Sequence, residues 1–146
     1  MKLSMLSKKT QYAFKALMYL AQQREGEPVL IAEISQKRNI PLKFLENILL
    51  ELKKDGILDS KKGKGGGYYL AKAPEKIFLA DVLRLIDGPI ALLPCVSLHF
   101  YQQCGQCDEK NCGLHRIMCQ VRDANLAILE NKTVADIAYI PLPAAD

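Results

Sequence analysis

Residues 40–70 read IPLKFLENILLELKKDGILDSKKGKGGGYYL, and the order of elements in that stretch decides the fold. Pro41 stands where a helix can open, because the amide it lacks would have no intrahelical partner there. Behind it Leu42, Leu45, Ile48, Leu49 and Leu52 recur at helical spacing and predict the inner face of a helix running to about Lys54. Asp55 and Gly56 end that helix, and the pattern changes. Residues 57–60 read as a short strand, 61–67 as a basic glycine-rich turn and 68–70 as the returning strand. The positions left outside at the start of the helix are Pro41, Lys43, Phe44, Glu46 and Asn47.

Two more helices precede this stretch. Over residues 7–23, Tyr12, Ala13, Ala16, Leu17 and Leu20 recur at helical spacing, with Lys8, Lys9 and Lys15 on other faces. Gly26 and Pro28 end that helix, and a second over 31–37 closes at Asn39. Two helices, a third entered by proline, then a basic hairpin is the order of a winged helix-turn-helix, a mainly α fold with a small β-hairpin. In that architecture the third helix enters the DNA major groove and the wing follows the flanking backbone. Lys43 can reach a phosphate or a guanine edge, and Glu46 can accept from cytosine. Lys61, Lys62 and Lys64 suit phosphates, with Gly65 and Gly66 allowing close approach of the backbone. The competing reading is a small α/β domain whose hairpin is only structural. A nucleotide-phosphate loop is excluded: Gly65-Gly66-Gly67 lacks a following Lys-Ser/Thr and lies between two strands, not between a strand and a helix.

Charge is divided along the chain. Residues 1–75 carry 14 Lys and Arg against 8 Asp and Glu, whereas 76–146 carry 6 against 8. A basic front half is the footprint of a polyanion-binding surface, although scattered lysines that keep a surface wet would give the same balance. The chain of 146 residues is long enough for a real core. It contains no apolar run approaching a membrane span, and its first residues lack a signal-peptide core. A cytoplasmic location with no membrane partner is the expectation, and in that compartment thiols stay reduced.

All 5 cysteines fall at or beyond position 95, as Cys95, Cys104, Cys107, Cys112 and Cys119, with His115 close after Cys112. Thiolates this closely gathered hold a soft metal or an iron–sulfur cluster, or pair with one another. Cys104, Cys107, Cys112 and His115 alone have a compact four-ligand spacing of the kind structural zinc accepts. Zinc, an iron–sulfur cluster and a metal-free thiol switch all remain open on spacing. Cys119 lies on the following helix and reads as a buried core thiol. His99, amid Leu98, Phe100 and Tyr101, reads as a packed or exposed side chain, not as a ligand.

A helix over 79–86 stops at Asp87-Gly88-Pro89, and a long one is expected over 113–130. On the long helix Leu114, Ile117, Val121, Ala124 and Ile128 form one apolar stripe, either the core side of a monomer or a seam between two chains. Dimeric DNA readers need such a seam, which favours the second. Thr133 caps a last short turn before a proline-marked tail. The expected division is a DNA-binding domain over 1–88, a cysteine-rich sensor loop over 89–112 and a dimerisation helix with its tail over 113–146.

The chain resembles the Rrf-two family of winged-helix bacterial regulators, some of which sense iron–sulfur supply or nitric oxide. The resemblance spans residues 1 to about 137. It rests on Met1-Lys2-Leu3-Ser4, on Tyr12-Ala13 with Ala16-Leu17, and on the run from Ile40 to Glu46. It rests also on Gly65-Gly66-Gly67-Tyr68 with Leu70-Ala71, on Asp87-Gly88, and on Cys112-Gly113-Leu114-His115. It implies a homodimer on a pseudo-palindromic site in double-stranded DNA, gated by a cluster on three cysteines. The family's first cysteine falls on Cys95, its last on Cys112 and its histidine on His115. Its middle cysteine falls on Cys107 or Cys104, since neither spacing matches the family's. A carboxylate that completes the cluster in some relatives is replaced by Gln11. The type of cluster, 2Fe-2S or 4Fe-4S, stays open, with zinc as the alternative cofactor. The function expected is a DNA-binding transcriptional regulator that senses redox state, nitric oxide or cluster supply. An electron-transfer or metal-carrier protein is the reading from another class, and it leaves the basic hairpin without a purpose. No nucleophile–base set points to an enzyme.

Overall fold

The computed structural model describes residues 6–105 and 108–139. Its helices are α1 (Lys8–Ala21), α2 (Ile31–Arg38), α3 (Leu42–Lys54), α4 (Leu79–Ile86), α5 (Gly113–Leu129) and α6 (Val134–Ala138). Strands β1 (Leu58–Lys61) and β2 (Gly67–Leu70) form a two-stranded antiparallel sheet. The chain falls into two compact units. One runs up to Ile77 and takes in the segment from Thr133 on, and the other is Phe78–Lys132.

Local chemistry explains the ends of the first three helices. Ser7 caps α1, its hydroxyl accepting from the Thr10 amide at 3.1 Å. Asn39 ends α2 at φ 52, the left-handed conformation that asparagine tolerates better than most residues. Pro41 is the residue before α3, extended at φ −56 and ψ 128, so it sets the entry direction and donates nothing. Leu45, Ile48, Leu49 and Leu52 of α3 are fully buried with Ala13, Ala16 and Leu17 of α1 and Ile34 of α2 in the core. Each buried leucine or isoleucine is worth about 1.5–3 kcal/mol in removal from water. Leu42, expected on that inner face, is 45% exposed at the first position of the helix.

The wing is pinned at its base. Leu58 pairs with Leu70 and Lys61 with Gly67. Val29 adds one more rung, exchanging hydrogen bonds with Tyr68 at 2.8 and 2.9 Å. Gly67 sits at φ 145, and a Cβ there would stand 2.2 Å from the Val29 carbonyl oxygen. A Gly67→Ala substitution is therefore expected to cost about 1–3 kcal/mol and to lower the thermal unfolding midpoint. An unchanged midpoint would show that the rung does not need this glycine.

The same unit recruits α6 from beyond α5. Thr133 and Asp136 cap α6 reciprocally, the Asp136 carboxylate accepting from the Thr133 amide at 2.7 Å. Val134 and Ala138 are buried, and α6 packs on α1. Gln22 donates to the Ala138 carbonyl at 3.0 Å, and the Tyr139 hydroxyl donates to the Ala21 carbonyl. The Val134 amide donates to the Ile77 carbonyl at 2.9 Å.

In the second unit α4 packs on α5, and the Leu79 amide donates to the Lys132 carbonyl at 2.9 Å. Between the two helices lie short 3-10 turns at Pro94–Val96 and Glu109–Asn111. These units cut the chain differently from the expected division at 88 and 112. Packing puts α4 with α5, and the segment after Lys132, expected to go with the long helix, belongs with α1.

Candidate nucleic-acid interface and cysteine segment

The outer face of α3 carries every residue expected there. Pro41, Lys43, Phe44, Glu46 and Asn47 are all exposed, as is Leu50. Burial of the opposite face of the same helix turns them outward. Phe44 is 58% exposed, and its ring centroid lies 6.4 Å from that of Tyr12 on α1. Two cations flank the Tyr12 ring, with Lys8 Nζ at 5.9 Å and Lys15 Nζ at 5.8 Å from its centroid. Lys9 instead meets Glu51 of α3 at 2.6 Å, an exposed pair worth no more than about 1 kcal/mol.

Lys61, Lys62 and Lys64 project from the wing into solvent, and Gly65 is exposed at φ 74. Gly66 is constrained by the wing itself. It is buried, and a Cβ on it would stand 2.2 Å from the Lys61 carbonyl oxygen. Its lack of a side chain serves the wing's own turn, where strand and loop backbones nearly touch.

The cysteine segment is built around α5. Cys112 is the N-cap of that helix, its sulfur accepting from the His115 amide at 3.4 Å. Cys95 lies in the Pro94–Val96 turn, which is anchored by burial of Val96 and by Arg122 of α5 donating to the Val96 carbonyl at 2.8 Å. Asp108 caps the second turn, accepting from the Lys110 amide at 3.1 Å and the Asn111 side chain at 2.6 Å. The Tyr101 hydroxyl donates to Glu109 at 2.7 Å. His115 stands between two thiols, with Nδ1 3.5 Å from Cys95 Sγ and Nε2 3.5 Å from Cys119 Sγ.

The thiols of Cys95, Cys104, Cys112 and Cys119 are all half-buried. Partial burial first, then the carboxylate of Glu109, pushes the Cys95 thiol above its ordinary pKa, with Cys104 and Cys112 adding in the same sense. Cys107 lies outside the described residues. Among the described residues no three of His, Cys, Asp and Glu are close enough together to hold a metal ion. The donor set nevertheless suits a soft metal in its chemistry: half-buried thiols and an imidazole on short turns and a helix cap.

Cys119 corrects the sequence reading. It is a half-buried thiol against His115, lining a cleft with Glu109, Cys112 and Arg116, and it is not a core thiol. Cys112, His115 and Cys119 are three and four residues apart, a spacing that places them on one helix face and was legible in the sequence. Lys8, Tyr12 and Lys15 carry the same kind of signal at the α3 end. His99 is exposed, as expected.

Residues 6–139 match the family model for Rrf2, described as an iron-dependent transcriptional regulator. The chain belongs to the Rrf2 family. It is 40% identical over 145 residues to an rrf2-like HTH-type transcriptional regulator of Rhodobacter capsulatus, covering 97% of each chain. It is 30% identical over 133 residues to the HTH-type transcriptional regulator IscR of Escherichia coli, covering 90% of this chain and 78% of that one. Among solved structures it is similar to CymR, the global cysteine regulator of B. subtilis, with TM-score 0.75, 26% identity and coverage of 93% and 97%. It is also similar to T. potens IscR, with TM-score 0.70, 25% identity and coverage of 94% and 85%. The fold is thus the winged helix of the Rrf2 regulators, and the chain is a transcriptional regulator, not an enzyme. No described helix is long and apolar enough to cross a membrane.

On the long helix Leu114, Ile117 and Ile128 are 58%, 49% and 60% exposed, with Ala124 exposed and Val121 half-exposed. The side that α5 turns to its own chain is instead the one carrying His115, Cys119, Arg122 and buried Leu126. The apolar stripe thus lies largely open in the single chain.

Proposed function

We propose that this Rrf2 regulator binds a pseudo-palindromic promoter site as a homodimer joined through the α5 stripe. Its cysteine segment sets operator affinity by gaining or losing an iron–sulfur cluster. The observation that carries the reading is the arrangement around α5. One face presents an unpartnered apolar stripe, and the N-cap and first two turns present Cys112, His115 and Cys119. Cys95, Cys112 and one of Cys104 or Cys107 would hold the cluster, with His115 beside it. When bound, such a group supplies a centre that oxidants and nitric oxide can alter.

The rest of the mechanism belongs to the protein. Cys112 joins the thiol segment to the first turn of α5, so a change at its sulfur is felt at the His115 amide. Arg122 ties the Cys95 turn to the second half of that helix. A shift of α5 in a dimer alters the spacing of the two α3 helices, and about 1–3 kcal/mol of coupling changes affinity roughly 5- to 150-fold. The metal-free thiol switch stands as the second reading. It draws on the half-buried thiols and on the likeness to a cysteine regulator.

On DNA, α3 reads bases and the wing holds phosphates, with Lys8 and Lys15 around Tyr12 bordering the same surface. Lys62→Ala should weaken binding on every sequence and flatten the dependence on salt by about 0.9 in log K per log salt for each phosphate left without its lysine. Glu46→Ala should act differently, relaxing discrimination by about 1–3 kcal/mol at one base pair per half-site while the salt slope stays put. Salt titrations and a binding-site selection with both variants test this. Equal slopes for Lys62→Ala and the parent, or an unaltered selected site for Glu46→Ala, would sink the respective assignment.

A further inference from the structure

We infer that Phe44 and Leu50 read the C5-methyl groups of thymines, with Asn47 between them placed for a paired adenine. The inference rests on the reading that α3 enters the major groove. It names the base pair that this side of α3 selects.

Phe44, Asn47 and Leu50 follow one another at three-residue intervals, so they are neighbours on the helix surface. All three are exposed, Phe44 at 58% and Leu50 at 45%. With Lys9, Glu51 and Lys54 they line one groove of about 390 Å³. Cations stand around it. Lys9 and Lys54 line it directly, and Lys43 is exposed on the same outer face of α3. Lys8 and Lys15 flank the Tyr12 ring beside Phe44. Glu51 is the carboxylate in the groove, and its 2.6 Å pair with Lys9 neutralises it.

A single exposed leucine carries no message. Two large apolar side chains in one groove of a reading helix need a cover, and the charges around them say which. The cover must be apolar in the middle and anionic at its edges. In a DNA major groove, thymine methyls lie between two rows of phosphates. Apolar side chains distinguish thymine by that methyl, and the asparagine amide pairs with N6 and N7 of adenine. Phe44 has no hydroxyl, so apolar contact is all its ring offers a base edge. The Tyr12 ring stands behind it, centroids 6.4 Å apart and planes tilted by 53°, and limits how far Phe44 can turn away. Lysines alone would serve phosphates; they give no reason to leave Phe44 and Leu50 in water.

The test uses the full chain and the duplex that it selects from a random library. Thymidine in that duplex is exchanged for deoxyuridine one position at a time, which removes the methyl and keeps the pairing edges. Where Phe44 and Leu50 meet the duplex, the exchange should weaken binding of the parent about fourfold, the worth of one buried methyl. Phe44→Ala should abolish the thymine–uracil difference at one such position and Leu50→Ala at another, each with the salt slope of the parent. Circular dichroism checks that both variants fold, and the exchange in the parent needs no variant at all. A selected half-site without A·T pairs, a parent indifferent to every exchange, or a difference that persists in both variants overturns the inference. A parent indifferent to uracil whose selected site still changes with Glu46→Ala overturns the methyl contacts alone and leaves α3 as the reading helix. A parent that selects no site overturns both. If the parent ignores uracil and either variant changes the mass in light scattering, protein covers the groove and the inference falls.

Discussion

Ile117→Glu combined with Ile128→Glu should leave a folded chain that runs as a monomer and binds its operator at least about 100-fold more weakly. Both side chains lie about half or more in solvent in the single chain, so their replacement removes little from the protein's own core. In a dimer seam the same carboxylates would be buried without partners, at about 3–5 kcal/mol for each uncompensated charge. A winged helix that has lost its twin contacts one half-site and forfeits the affinity of the other. Light scattering at micromolar concentration and far-ultraviolet circular dichroism separate the two effects. A parent that is already monomeric, or a double variant that stays dimeric, would remove α5 as the seam. A variant that unfolds would mean that the stripe serves the chain's own packing after all.

The second large effect concerns the thiols. Cys95→Ala and Cys112→Ala should each abolish the visible absorbance of anaerobically reconstituted protein, whereas Cys119→Ala should retain it. Cys112 also caps α5, so its replacement by alanine removes a helix-end acceptor worth about 1 kcal/mol. Cys112→Ser separates the two roles, since a hydroxyl keeps the cap and gives up the soft donor. If Cys112→Ser is as colourless as Cys112→Ala but melts like the parent, the loss belongs to the metal site. Comparing Cys104→Ala with Cys107→Ala names the middle ligand. One zinc per chain in place of iron, retained by Cys95→Ala, would instead favour the compact knuckle of Cys104, Cys107, Cys112 and His115.

The fold was legible because its elements announce themselves locally. Proline before α3, asparagine after α2, the glycine-rich wing and the apolar periods of α1, α3 and α5 are signals read within a few residues. Pro41 as the residue before the helix and Leu42 left outside show how little those signals say about the first turn, which tertiary neighbours decide. The site was legible in its residue types and not in its pairings. The four-residue spacing puts Cys119 on the face of His115, but nothing near it in the sequence says whether that face is buried in the core. That depends on which side of α5 the Pro94–Val96 turn docks, a contact between segments 26 residues apart at Arg122 and Val96. Gly66 and Gly67 in the wing also answer to the protein's own backbone, since a Cβ on either would meet the carbonyl of Lys61 or Val29. Distant backbone supplies that constraint, and no local pattern encodes it.

The hydrogen bond from the Val134 amide to the Ile77 carbonyl closes the first unit at the two points where the chain leaves it and comes back. Viewed as topology, Phe78–Lys132 is an insert carried on a loop of the DNA-reading unit, and its two ends emerge side by side. A gene in which that insert is excised and Ile77 is joined to Thr133 by a short flexible linker would keep Val134 and Ala138 in the core. It would keep α3 and the wing as well. Cutting the chain before Thr133 would instead strip α6 from α1 and expose what it covers. The architecture therefore permits that insert to be exchanged without redesign of the unit that carries it, provided that the replacement returns its chain to the place where it left.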